Sequence, residues 1–483
     1  MTHNLEVFFK PKSIAVVGAS KDSRKIGHAA LKNILISDYE CNLYPVNLKE
    51  KEILGLKCFK KVSDITGKVD LVLISVPAPF VADVLRDCVK KKVKNTIIIT
   101  SGFSEVGKHD MEEELKQIID KADMNVLGPN VMGYKNASIG LDASFVYGNP
   151  KKGNVALISQ SGALGIGMIY LANNEYMGVS KIIGVGNKLD LDDDDLIDYF
   201  AQDPDTKVIG LYIEGVKHGR DFMNSIYACN KPILVVKAGR SSAGARAASS
   251  HTGSMAGSDK IYDAAIRQAG GIRCRDVVEL FDMAKALTGQ PPARGNRIGI
   301  VTNGGGLGIL LTDACEANGL TIPKLSPKTY KKIDKIIPDL VRPNNPVDIV
   351  ADAGFFRYEA ATSALLEDPN IDGVIVASVH GGYARPAEFT GAIIKMIRER
   401  KLHEEYKKPI LATWVGGREY EDLVIDLKSA GVPIYPSSWR TARSMMALYQ
   451  EGQRIKKEGK KKKRFDRTNH NYNRRSASNR RSG

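Results

Sequence analysis

The stretch GNVALISQSGALG, Gly153 to Gly165, returns almost unchanged as GNRIGIVTNGGGLG, Gly295 to Gly308. In each, an apolar run of strand length ends in small residues that open an amphipathic stretch. That is the pattern of a parallel strand turning into a covering helix. The echo continues downstream: VIGLYIEG (Val208 to Gly215) corresponds to VIVASVHG (Val374 to Gly381), and KPILVVKAGR (Lys231 to Arg240) to KPILATWVGG (Lys408 to Gly417). The expected fold class is therefore α/β, with a duplicated doubly wound domain. The copies differ where chemistry is expected, since Glu214 falls opposite His380.

Upstream of the first copy, SIAVVGAS, CNLYPVN, VDLVLISV and NTIIITSGFSE read as four further strands, each ending in Gly, Ser, Asn or Pro. Such ends are where open α/β sheets bind ligands. The expected units are residues 1–150, 151–290 and 293–452, with a joint at Pro291-Pro292 and a basic, disordered tail over 453–483.

The net charge of +15 suggests nucleic acid until it is divided along the chain. From Arg454 onward, 13 Lys and Arg face only Glu458 and Asp466, a net +11 that leaves +4 for the preceding residues. A specific nucleic-acid-binding body is thereby disfavoured. No apolar run approaches the ~20 residues of a membrane helix, and Met1 to Lys12 lacks the pattern of a secretory signal. Six cysteines without a C-x-x-C spacing argue against a zinc site or a disulfide framework, and a cytoplasmic location is expected.

Gly18-Ala19-Ser20, followed by Gly27 near a helix start, suits a phosphate-binding turn. A dinucleotide dehydrogenase is disfavoured, because the G-x-G-x-x-G spacing is missing and the second strand ends in Asn47 rather than an acid. Lys49 beyond it would attract a phosphate. The loop Ser159 to Gly165 is a second candidate oxyanion site, and it lacks the spacing of a serine nucleophile elbow. The acidic run Asp190 to Asp195 has no flanking ligands at metal spacing, so a solvated helix start is expected and no metal site.

His251 sits in SSHTGSMAG after Ser241 to Ala248, a run of Ser, Ala, Gly and Arg expected to form a loop in which its ring can meet more than one partner. Imidazole is a competent nucleophile near neutral pH when a carboxylate fixes its tautomer. Glu214, at a strand end in the same unit, is the candidate for that carboxylate.

GRSSAGARAASSHTGSMAG, together with YIEG, ISQSGALG and NGGGLG in this order, resembles the α subunit of ADP-forming acetyl-CoA synthetase, a relative of the succinyl-CoA synthetase α subunit. The likeness extends over roughly residues 5 to 450. It implies a Rossmann-like CoA-binding domain followed by two flavodoxin-like domains, and an acid–thiol ligase that works through acyl phosphate and a phosphohistidine. Under it, His251 accepts the phosphoryl group, Glu214 holds its ring, and the backbone at Ser161, Gly162 and Ala163 cradles phosphate. For coenzyme A it points to Gly18, Ala19, Ser20, Gly27, Asn47, Lys49, Ser75, Pro77, Ser101, Gly102 and Asn130. Two positions depart from the family pattern: Val131 follows the Asn of GPN in place of Cys, and Leu48 follows the Asn of VN in place of Pro. Both are read as altered packing of the CoA pocket.

The chain contains no P-loop and no recognisable ATP-grasp segment. The resemblance therefore implies an ATP-grasp β subunit that binds Mg²⁺ and ADP or ATP, with a small carboxylic acid or its acyl-CoA as substrate. Other readings stay open at this point: a non-catalytic CoA-sensing or scaffold protein, a succinyl-CoA ligase α subunit, and a nucleic-acid-associated protein suggested by the tail.

Overall fold

The computed structural model describes residues 5–252, 258–380 and 383–457. Side chains over 248–252 are outside the description as well. By contacts the chain divides into two compact units, Met1–Ala284 and Lys285–Gly483.

Besides a two-stranded ribbon of Glu52–Ile53 and Leu56–Lys57, the first unit holds two larger sheets. In one, β1 (Ser13–Val17), β2 (Asn42–Val46), β3 (Leu71–Ile74), β4 (Asn95–Ile98) and β5 (Asn125–Leu127) run parallel in the order β2-β1-β3-β4-β5. Their side chains are buried on both faces for most of their length, as Val, Ile and Leu runs require when helices cover a sheet. The second sheet has the hairpin β6 (Gly133–Asn136) and β7 (Leu141–Ser144), then β8 (Lys152–Ser159), β9 (Val179–Gly184), β10 (Val208–Ile213), β11 (Ile233–Lys237) and β12 (Ile272–Cys274). Its order is β12-β11-β10-β8-β9-β6-β7. Only the hairpin is antiparallel, pairing Ile183 with Tyr134 at the sheet edge. Residues 133–144, grouped with the N-terminal unit in the sequence reading, thus complete the second sheet. A single apolar core containing Ile14, Leu73, Tyr134, Ile158, Leu211 and Val235 runs through both sheets.

The second unit has one parallel sheet of β13 (Ile298–Thr302), β14 (Val347–Asp348), β15 (Gly373–Val379), β16 (Ile410–Val415) and β17 (Ile434–Tyr435), in the order β14-β13-β15-β16-β17. With the hairpin set aside, the three larger sheets share one strand order, second-first-third-fourth-fifth. In each, the chain leaves the first strand at the point where neighbouring connections depart in opposite directions, and this switch point forms a natural crevice. The α/β class with parallel sheets is thus observed, and the repetition is threefold where the sequence displays it only twice.

Two local expectations are corrected. Ser242–Thr252 is a helix rather than a loop. Its four alanines and Arg246 are strong helix formers, and the Ser241 hydroxyl caps its start by accepting the Gly244 N–H at 3.0 Å. The acidic run does begin a helix, Asp193–Gln202, but not a solvated one. Asp192 and Asp193 are buried and share the buried ammonium of Lys188. Burial pushes the Asp193 carboxyl above the ordinary carboxylate range against the pull of that lysine. At the other end of the chain, helix continues over 438–457, so Arg454 still pairs with Glu451 inside it. The basic segment from 458 onward lies outside the described residues.

Candidate active site

The C-terminal edge of the first sheet gathers every residue assigned to the CoA site. Gly18 follows β1 with φ +90°, and a Cβ there would lie 2.8 Å from the Ser75 hydroxyl. A Cβ on Gly27, the second residue of α1 (Ile26–Leu35), would sit 2.0 Å from the Gly18 carbonyl oxygen. The helix start therefore touches the turn, and only hydrogen fits between them. Asn47 closes the next strand end: its amide donates to the Ala19 carbonyl at 2.8 Å, and its oxygen accepts the N–H groups of Lys49 and Glu50. Ser20 turns the loop by accepting the Asp22 N–H, and its carbonyl lies 2.9 Å from His28 Nδ1. The Ser75 hydroxyl donates to Val17 at 3.0 Å. Pro77 caps a short 3-10 turn, and Ser101 and Gly102 (φ +107°) follow β4. Asn130 (φ +64°) follows β5 and donates its backbone N–H to Thr100. Lys49 and Ser101 are exposed at this edge.

The second sheet presents its switch point between β8 and β10. Ser161 is the N-cap of α2 (Gly162–Asn174), its hydroxyl accepting the Leu164 N–H at 3.3 Å. A Cβ at Gly162 would meet nothing within 4 Å among the described residues, so they leave space beside the first residue of this helix. The first turn's N–H groups and the positive end of the helix dipole face that space, a setting for an anion. Beside it, Glu214 follows β10 and is largely buried. The Tyr212 hydroxyl lies 3.4 Å from the Glu214 carboxylate, and burial, with that charge second, pushes the phenol up to about 12. Lys237, at the end of β11, lies over the Tyr262 ring at 4.5 Å. Burial lowers its pKa, and nearby Arg273 lowers it further.

Gln160 links the loop to the carboxylate, a role the sequence did not announce. Its backbone N–H donates to the Tyr212 carbonyl at 3.0 Å, while its side-chain oxygen accepts the N–H groups of Glu214 (2.7 Å) and Gly215 (3.1 Å). The two ends of this network are more than fifty residues apart in the chain. Another missed residue is Asn187, whose amide binds Glu105 (2.7 Å), Glu112 (2.9 Å) and Ser104, tying the second sheet to the loops of the first.

His251 lies in the last two residues of α3 (Ser242–Thr252). Its side chain, and Gly253 to Gly257 after it, are outside the described residues, so its approach to Glu214 is not observed. The backbone of α3 does pack beside the Ser104–Val106 turn, which adjoins Gly102. The helix carrying the histidine thus lies next to the edge that carries the CoA-site residues.

Comparison with known proteins covers almost the whole chain. Residues 12–137 match the family model described as a CoA binding domain, 152–287 the succinyl-CoA ligase like flavodoxin domain, and 298–454 the ligase-CoA domain. The α subunit of acetate–CoA ligase (ADP-forming) II from Pyrococcus furiosus is 41% identical over 93% of this chain and 98% of its own length. The acetate–CoA ligase (ADP-forming) of Methanocaldococcus jannaschii is 38% identical over 93% of this chain but only 63% of its own. Among solved structures, the dinucleotide forming acetyl-coenzyme A synthetase 1 of Ca. Korarchaeum cryptofilum, in complex with phosphate and ADP, superposes with a TM-score of 0.89 at 41% identity. That match covers 94% of this chain and 98% of the other.

Proposed function

Because the chain belongs to the α-subunit family of ADP-forming acetate–CoA ligases, we propose that it carries CoA chemistry and phosphoryl transfer on one polypeptide, with His251 as the phosphoryl carrier. The observation that carries this reading is the meeting of two groups at one switch point. An open helix start at Ser161–Ala163 can hold a phosphate, and the buried carboxylate of Glu214 beside it can orient an imidazole.

The reaction is acyl-CoA + ADP + phosphate ⇌ carboxylic acid + CoA + ATP. Phosphate first attacks the thioester carbonyl, and CoA leaves as the thiolate. The neutral imidazole of His251 then attacks phosphorus in the acyl phosphate. An N–P bond forms, the P–O bond breaks, and the carboxylate leaves with the electron pair. Glu214 accepts a hydrogen bond from the other ring nitrogen, which keeps the attacking lone pair free and offsets the developing positive charge. The helix start meets the charge on the phosphoryl oxygens. The Gly18, Asn47, Ser75, Gly102 and Asn130 edge holds CoA.

The nucleotide and Mg²⁺ belong, in this proposal, to an ATP-grasp partner subunit. The lengths of the relatives support that division, since this chain spans nearly all of a protein named as a subunit and under two thirds of one named as a ligase without a subunit designation. The acyl group is a small carboxylic acid, and a cytoplasmic setting agrees with six cysteines that form no disulfide among the described residues.

Two measurements test the proposal. By calorimetry the isolated chain should bind CoA, and it should show no ADP-dependent acyl-CoA cleavage until the partner is added; robust ATP synthesis by the chain alone would remove the need for a partner. Incubated with labelled ATP and Mg²⁺, the complex should place on this chain a label that survives alkali and is lost in acid, as a phosphoramidate is. A label mapped to Ser159 or Ser161 would overturn the assignment of His251.

A further inference from the structure

We infer that Gln160 is a positioning residue that sets the distance and angle between the phosphate-binding helix start and the Glu214 carboxylate. The inference rests on the roles proposed for His251 and Glu214.

The geometry singles out Gln160 among its neighbours. The turn from β8 into α2 and the end of β10 are adjacent, but strand pairing alone leaves them free to shift, because the ladder ends at Ser159 opposite Tyr212. Past that point the backbone needs other partners. Gln160 supplies three hydrogen bonds across the gap: one through its own N–H, and two through a single side-chain oxygen that accepts from consecutive residues, Glu214 and Gly215. Both lone pairs of that oxygen are directed at the backbone that carries the carboxylate. Its neighbour Ser161 caps α2, and Ser159 donates its hydroxyl to the Ser161 carbonyl at 2.7 Å. The residues from Ser159 to Ser161 thus hold the helix start on one side and the base of Glu214 on the other.

The second unit contains the same device with a shorter arm. Asn303 holds the neighbouring strand end by accepting the Val379 N–H at 2.8 Å and donating to the Val379 carbonyl at 3.0 Å. Thr302 donates its hydroxyl to Gly304 as Ser159 does to Ser161. Register puts Val379 where Glu214 stands, since Ser159 is opposite Tyr212 and Thr302 opposite Ala377, so the alignment of Glu214 with His380 expected from the sequence is off by one residue. Asparagine, one methylene shorter, therefore grips the same position as glutamine does. The longer arm of Gln160 holds Glu214 there and adds the N–H of the next residue, Gly215.

A positioning role predicts a loss in transfer rate with substrate binding left intact. Gln160→Met keeps length and volume but removes the acceptor. In the complex with the nucleotide-binding partner, phosphorylation of the chain by labelled ATP should slow about 10- to 100-fold, the range that a displacement of roughly 1 Å produces. KM for CoA and the thermal midpoint should stay near wild type, and hydrogen exchange at the Glu214 and Gly215 amides should accelerate. The decisive readout is coupling: in a Glu214→Gln background the same Gln160→Met change should cost less than about threefold, because the group it positions is already disabled. Gln160→Glu, which retains an acceptor for both N–H groups, should keep amide protection. Wild-type labelling rates in Gln160→Met, or a full additive loss in the double variant, would overturn the inference while leaving the reading of His251 in place. An unlabelled wild-type complex would overturn both.

Discussion

The turns Ser159-Gln160-Ser161-Gly162 and Thr302-Asn303-Gly304-Gly305 occupy the same place in two sheets of identical strand order, yet they present different chemistry. Both begin with a hydroxyl residue that donates two positions ahead, and both send an amide side chain across to the neighbouring strand end. Even the backbone bond from the second strand is matched, Val185 N–H to Ser159 and Ile349 N–H to Thr302. Where the first copy has Gly184 at the end of that strand, however, the second has Asp348, whose carboxylate stands 3.0 Å from the position of a Gly305 Cβ. Where the first copy has Glu214 just after its central strand, the second has Val379 in register, and the next residue, His380, lies against the Trp414 ring with centroids 3.6 Å apart. Duplicated folds therefore keep their backbone ties and change the few side chains that face the crevice, which separates scaffold from function.

The largest test of this difference exchanges nothing but histidines. His251→Ala should abolish acid-labile labelling, whereas His380→Ala should leave labelling within about threefold, since a side chain that neither accepts nor orients the phosphoryl group acts only through packing. Equal losses in the two variants, read by single-turnover phosphorylation, would end the claim that only the first copy carries the phosphoryl group. Next in size, Glu214→Gln should slow phosphorylation about 10²-fold with label still forming, because it weakens orientation and charge without deleting the acceptor. A smaller effect is expected from Gln160→Asn, which gives the first turn the arm of the second. The shorter arm can still meet the Glu214 N–H, as Asn303 meets that of Val379, but it releases the Gly215 N–H, and the labelling rate should fall by no more than about 10-fold.

The smallest effect concerns pH. Burial holds the His380 imidazole down to about 4, and both ring nitrogens lack a hydrogen-bond partner among the described residues. Between that value and the ordinary one of about 6.5, the unfolded chain binds a proton that the folded chain refuses. The stability of the second unit is then fully present above the ordinary value and declines as pH falls toward about 4. Replacing His380 with Phe should flatten this part of the profile, measured as the denaturant midpoint against pH. An unchanged slope would mean that the imidazole titrates normally.

The three parallel sheets were legible because buried strands need continuous apolar runs and the turns after them need small residues. SIAVVGAS and GNVALISQSG satisfy both requirements locally. The residues expected at coenzyme A were named through resemblance, and the structure gathers them at one sheet edge. Gln160 was quoted as part of a motif but not as a functional residue, because its partners, Glu214 and Gly215, belong to a different strand. The helix of Ser242–Thr252 was misread because small residues were weighed as loop formers, when alanine and a capping serine favour helix. The burial of Asp192 and Asp193 was missed although their partner Lys188 stands only four and five residues earlier, because whether an acidic run faces water depends on what packs over it.

By itself the sequence determined the α/β class, the duplication of Gly153–Gly165 in Gly295–Gly308, and the candidate chemistry of His251 and Glu214, since each depends on residue type and short-range spacing. Only the tertiary structure decided that the N-terminal sheet repeats the same strand order, that the 133–144 hairpin completes the second sheet, and that Gln160 grips Glu214. Strand order and crossings between strands arise from contacts between segments far apart in the chain, where burial and hydrogen-bond geometry choose among arrangements that local patterns leave equally open.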